Sequence, residues 1–226
     1  SGGPGPRSRE LAERLRKVET SSVTWLSEDF PIFWEQGRGV FVRDVDGREY
    51  LDMTAAFGVT ALGHSPAQSR KALQEQAEKL IHGMGDVHPP AVKVELLERL
   101  AAICPVQNPR ITLGTGGSMA TEIALKSVYL ATGRPSVLAF EGGYHGLTLG
   151  ALSVVGHQRF LEPFAGMTRR GVPRASFPDP TRSGEDSPQV IGESALEQVT
   201  AILEQHEHEI GGIIVEPIQG RGGIRI

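Results

Sequence analysis

Leu113-Gly-Thr-Gly-Gly-Ser-Met-Ala-Thr-Glu-Ile-Ala-Leu-Lys126 is the stretch whose reading decides the fold. A short apolar run, Ile111-Thr-Leu113, reads as a strand; glycines then turn the backbone and a helix begins at Ser118. Open amides at a helix N-terminus, with the dipole behind them, favour an anion, and glycines let a phosphate approach the backbone. Ser118 is able both to cap the helix and to offer its hydroxyl to a phosphate oxygen. The plain alternative is a strand-to-helix turn closed by a serine cap. Two familiar phosphate motifs fail in detail. A P-loop needs Gly-Lys-Ser/Thr and no lysine stands here, while the dinucleotide fingerprint needs a third glycine that Gly114-Thr-Gly-Gly-Ser-Met-Ala120 lacks.

Toward the C-terminus, strands and helices alternate. Ser118 to Thr132 reads as a helix, Ser136 to Phe140 as a strand, Glu193 to His208 as a helix and Gly212 to Glu216 as a strand. That rhythm predicts a parallel sheet covered by helices on both faces. Two strand ends carry chemistry. After Phe140 come paired glycines and then Tyr144-His145, an aromatic ring and an imidazole at the carboxyl edge, where parallel sheets bind ligands. Such a ring is able to stack on a planar heterocycle, or simply to anchor a loop. The strand Gly212-Ile-Ile-Val-Glu216 delivers a carboxylate to the same edge, and Arg221 nearby offers it an ordinary ion-pair partner.

Toward the N-terminus, Leu11, Leu15 and Val18 form a helical stripe. Asp46-Gly47 between two β-prone runs predicts a hairpin. Ser65-Pro66 and Pro89-Pro90 open two further helices, with Leu73, Ala77, Leu80 and Ile81 inward on the first and Leu96, Leu97, Leu100 and Ile103 on the second. Phe177 to Ser187 reads as a surface loop, and Ser1 to Pro6 as a flexible start.

Composition narrows the classes. With 39% hydrophobic and 22% charged residues over 226 positions, the chain is long enough for one large core or two modest ones. A net charge of -4 gives no basic footprint, so nucleic acid is not an expected partner. No apolar run reaches the roughly 18 residues of a membrane helix. No metal site is assigned. The single cysteine, Cys104, sits in an apolar stretch and reads as a core thiol in a reducing, cytoplasmic setting.

These elements, in this order, resemble the class III (ω-type) pyridoxal-phosphate-dependent aminotransferases from about Asp29 to Ile226. Phe33-Trp-Glu-Gln-Gly-Arg-Gly-Val-Phe-Val-Arg-Asp-Val-Asp-Gly-Arg-Glu-Tyr-Leu-Asp52 looks like the family's N-terminal β segment. Thr54 to Pro66 looks like the stretch entering its large domain. The resemblance implies an α/β, fold-type I chain: residues 1–62 as a small-domain part and 63–226 as an incomplete cofactor-binding domain. It implies pyridoxal 5'-phosphate as cofactor, with Gly117 and Ser118 on its phosphate, Tyr144 stacked on its ring, and His145 and Glu216 beside it. Phe57 and Val59 fall where the family lines its substrate pocket. An amino donor, a keto acid acceptor and a homodimer are the implied partners. Met119 departs from the family, many of whose members have glutamate there.

The resemblance also implies what is missing. The aspartate for the pyridine nitrogen and the Schiff-base lysine belong after Ile226, so the expectation is a truncated chain, inactive alone. Lys17, Lys71, Lys79, Lys93 and Lys126 all fall on predicted helices. Related aminomutases and decarboxylases use the same cofactor site, and a non-catalytic binding or scaffold module is the reading from a different class. A nucleotide-binding oxidoreductase leaves Tyr144-His145 unexplained.

Overall fold

A computed structural model describes residues 3–21, 23–181 and 187–226. The chain divides into two compact units, residues 1–95 and 96–226, with the division falling inside helix α3 (Ala91–Ile103).

In the first unit, α1 (Pro6–Val18) starts with proline in its first turn, where a missing N–H costs nothing. A three-stranded antiparallel sheet follows in the order β1 (Trp34–Arg38), β2 (Phe41–Asp44), β3 (Glu49–Leu51). The Asp46-Gly47 turn joins β2 to β3 as expected, with Gly47 at φ +83°, a conformation that favours glycine. Asp44, fully buried, accepts from the amides of Asp46 and Arg48 and from the Tyr50 hydroxyl. Asp52 and His64 lie 2.8 Å apart. Helix α2 (Ala67–Lys79) buries none of its residues, and Leu73 and Ile81 are exposed. Its expected inward face therefore has no cover among the described residues, and the same is true of Leu96 and Ile103 on α3.

The second unit is built on a parallel sheet ordered β5 (Arg174–Ala175), β4 (Ser136–Phe140), β6 (Ile210–Ile213). β4 is buried at every position, as a central parallel strand must be. Its alternation sends Val137 and Ala139 to one face, against Val154, Val172 and Leu125 and Val128 of α4 (Gly117–Thr132). Leu138 and Phe140 go to the other, against Ile210, Ala175 and Val199, Ile202 and Leu203 of α7 (Pro188–Gln205). Each such fully buried aliphatic side chain contributes about 1.5–3 kcal/mol of transfer free energy. Between β4 and β5 run α5 (Leu149–Ser153), α6 (Gln158–Leu161) and a 3-10 turn, Glu162–Phe164. The Arg174 guanidinium ties this segment down by donating to the carbonyls of Val172, Ser153 and Val155.

Three sequence expectations shift. Ile111–Leu113 joins no ladder among the described residues, because an extended run becomes a strand only beside a hydrogen-bonding neighbour. The last strand sits at Ile210–Ile213, so Glu216 lies three residues past its end. Cys104 is half-buried, not a core residue. Of the loop read at 177–187, residues 182–186 lie outside the described residues.

Candidate functional site

α4 begins without a side-chain cap: Gly116 occupies the N-cap position, and the first rung of the ladder runs from Ala120 N–H to the Gly116 carbonyl. A Cβ added to Gly116 or Gly117 would meet nothing within 4 Å. The amides of this first turn therefore open onto free space at the head of a 16-residue helix, an arrangement suited to an anion.

The loop that follows Tyr144-His145 packs against the side of the first turns, at Ser118, Thr121 and Glu122. Gly146 makes the approach possible: it adopts φ +113°, and a Cβ there would fall 2.6 Å from the Cβ of Ser118. Thr121 donates to the His145 carbonyl at 2.9 Å, and the Thr148 N–H donates to Ser118 Oγ at 3.1 Å. Glu122 accepts from the Thr148 hydroxyl and from the amides of Gly150 and Ala151. The Thr148 hydroxyl first, then those two amides, hold the Glu122 carboxyl below the usual range, against the opposing effect of burial.

From the end of β6, Glu216 reaches across and accepts the Tyr144 N–H at 2.8 Å. Burial pushes the His145 imidazole below its ordinary value, and the Glu216 charge only partly offsets this. His145 Nε2 is buried with no hydrogen-bond partner among the described residues. Arg221 does not take the place expected of it as an ion-pair partner of Glu216. Its guanidinium lies over the rings of Tyr144 and Phe160, 4.7 and 5.3 Å from their centroids. Gln219, fully buried, anchors the turn that carries Arg221 by donating to the Glu141 carbonyl at 2.9 Å.

Gly117, Ser118, Tyr144, His145 and Glu216 thus meet at one end of the second unit. Phe57 and Val59 belong to the first unit, where both are exposed and Phe57 takes a positive φ of +57°. The sequence reading missed Thr148, Glu122 and Thr121. Thr121 and Glu122 follow Ser118 by three and four residues, on its face of the helix, but nothing in the sequence ties them to Thr148. An uncapped helix end, glycines that leave room for a phosphate, an aromatic ring and a buried imidazole nitrogen without a partner fit a planar, phosphorylated heterocycle.

The comparisons name the class. A family model described as aminotransferase class-III matches residues 24–226, and the chain belongs to that family. Pyridoxal phosphate is the cofactor this membership carries. An alanine/serine racemase of Pyrococcus horikoshii is 33% identical over 98% of this chain and 48% of its own length. An acetylornithine aminotransferase of Archaeoglobus fulgidus is 34% identical over 84% of this chain and 44% of its own. Among solved structures, an (S)-enantioselective ω-transaminase from Thermomicrobium roseum superposes with a TM-score of 0.87 at 26% identity, covering 97% of this chain and 51% of that one. The chain spans about half the length of the curated relatives it matches.

Proposed function

We propose that residues 1–226 supply the phosphate cradle and ring-stacking wall of a class III aminotransferase. The reaction moves an amino group between an amino acid or amine and a keto acid. In this reading Gly117 and Ser118 hold the cofactor phosphate at the head of α4, Tyr144 stacks on the pyridine ring, and His145 lies beside it. Phe57 and Val59 line the substrate pocket. The observation that supports the reading best is the fastening of the Tyr144-His145 loop to the first turns of an uncapped helix, through Gly146 and Thr121.

When bound, the cofactor supplies the electron sink for bond cleavage at the substrate carbon that bears nitrogen. The chain's own residues bind and orient. Glu216 fixes the backbone that carries the Tyr144 ring. Burial keeps His145 neutral near pH 7, so its free Nε2 offers one hydrogen bond and no charge. The lysine and aspartate that complete the chemistry are assigned, on this reading, to sequence following Ile226, and 1–226 alone does not transaminate. The reading also carries a homodimer, a cytoplasmic setting and the division at 62/63, which follows family roles and not the contact pattern. The exposed apolar residues on α2 and α3 accord with a subunit interface.

The test is an intact mass after incubation with pyridoxal phosphate, before and after borohydride reduction. A protein heavier than 24.3 kDa that gains one pyridoxyl group on a lysine outside 1–226 is the expected result. A mass of 24.3 kDa with no selective adduct sinks the reading. The similarity to a racemase along nearly the whole chain supports a second reading, inversion at an amino acid α-carbon. It requires D-alanine to form from L-alanine with no keto acid present.

A further inference from the structure

The two arginines of the turn after β6 are placed differently. Arg225 Nε lies 3.1 Å from a carboxylate oxygen of Asp179, a complete ion pair. Arg221 makes no hydrogen bond or ion pair among the described residues, and Glu216 is committed to the Tyr144 N–H. Its contacts are the two rings beneath it, Tyr144 and Phe160. Rings orient a cation without neutralising it, so the exposed guanidinium keeps its charge and its N–H donors. Arg159 lies 4.7 Å from the centroid of the same Phe160 ring, and it too has no carboxylate among the described residues. Two like charges on one ring favour an anion arriving beside them.

The turn itself is fixed. The amides of Gln219 and Arg225 donate to each other's carbonyls at 2.9 and 3.2 Å, and the buried Gln219 side chain holds the Glu141 carbonyl. The anchored backbone therefore keeps the Arg221 side chain beside Tyr144 whatever is stacked on that ring. We propose that Arg221 is a specificity-determining residue that takes the α-carboxylate of an amino acid substrate. This rests on the cofactor assignment above and chooses between the donors left open there, amino acids over simple amines. A cation beside the ring-stacking tyrosine meets the substituent nearest the carbon being acted on, which in an amino acid is the carboxylate. A guanidinium matches that group with two parallel N–H donors and stays charged at every working pH.

The test compares L-alanine with isopropylamine, which is alanine with a methyl group in place of the carboxylate, as amino donors to the full chain. Arg221→Met is expected to lower kcat/KM for L-alanine about hundredfold, the size of a bidentate charge-assisted contact, and to leave isopropylamine unchanged. Arg221→Lys restores part of the loss. Propionate, which keeps the carboxylate and lacks the amine, should bind the unmodified, cofactor-loaded protein in calorimetry and fail to bind Arg221→Met. An equal fall for both donors means Arg221 only steadies Tyr144 and overturns the proposal. So does an unchanged rate with L-alanine. Propionate bound equally by both proteins overturns it even where turnover has been lost. If the unmodified full chain gains no pyridoxyl group on borohydride reduction, the cofactor assignment fails and this inference with it; a loaded protein whose preference for L-alanine survives Arg221→Met overturns this inference alone.

Discussion

Two helix N-termini in this chain are finished in opposite ways. At α1, Asp46 arrives from the β2–β3 turn and accepts the Arg7 N–H at 2.8 Å, the Ser8 N–H at 3.0 Å and the Ser8 hydroxyl at 2.7 Å. Those bonds hold the Asp46 carboxyl below its ordinary value, the Ser8 hydroxyl contributing most. At α4 no side chain performs that service, and the surrounding polar groups are spent on the neighbouring loop. A helix end closed by a carboxylate is complete as structure. One left open, with glycines before it and a loop fastened to its side, keeps its first-turn amides available to an anion.

The comparison breaks most severely at Gly146. Gly146→Ala puts a methyl group against Ser118 and strains a left-handed backbone, costing of order 1–3 kcal/mol from the backbone alone. Urea unfolding should show that loss, and titration should show pyridoxal phosphate affinity falling about a hundredfold, because the loop can no longer seat on α4. An unchanged affinity would mean the loop is not part of the cradle.

Next in size is Glu216→Gln, which keeps an acceptor for the Tyr144 N–H but removes the charge that partly offsets the burial of His145. The His145 value, already depressed, should fall further when followed by NMR titration. The sign for stability follows: a depressed folded value adds stability above the unfolded value near 6.5, lost as pH falls below it. The variant should therefore be more acid-sensitive at this group. A rise in the His145 value would contradict the assignment.

Asp46→Ala tests the closed end. Melting temperature should drop and hydrogen-exchange protection should be lost in the first turn of α1, with cofactor affinity held within about twofold. The smallest effect belongs to Asp52, held at about 2 by the Thr54 hydroxyl and then by His64. Its contribution is present above the unfolded value of 3.8 and vanishes as pH falls through about 2. Asp52→Asn should remove that contribution at neutral pH, so denaturation there shows a small loss of stability, and should flatten the acid limb of the profile in that window.

Much of the site was legible in the chain, for definite reasons. Gly117-Ser118, Tyr144-His145 and Glu216 stand out because each lies near an expected strand end with glycine or proline beside it. The positions of Thr148, Glu122 and Arg221 were not legible. Nothing in Gly-Arg-Gly says that its guanidinium will lie on Tyr144 and not beside Glu216. Helix faces misled as well: the apolar spacing of Leu73, Leu80 and Ile81 is that of a buried stripe, yet Leu73 and Ile81 are among the more exposed apolar residues here. Periodicity reports which face is apolar, not what covers it.

Local pattern was sufficient for everything that depends on near neighbours. The period of β4, the Asp46-Gly47 turn, the glycine entry to α4 and the order of the three motifs all follow from residues a few positions apart, because backbone preference and side-chain alternation act at that range. Tertiary structure alone decided which groups share hydrogens. The Thr148 to Glu122 bond spans 26 residues and the Arg7 to Asp46 bond spans 39. Whether such groups meet depends on the whole path of the chain between them, and a shift of about 1 Å in that path is enough to lose a hydrogen bond.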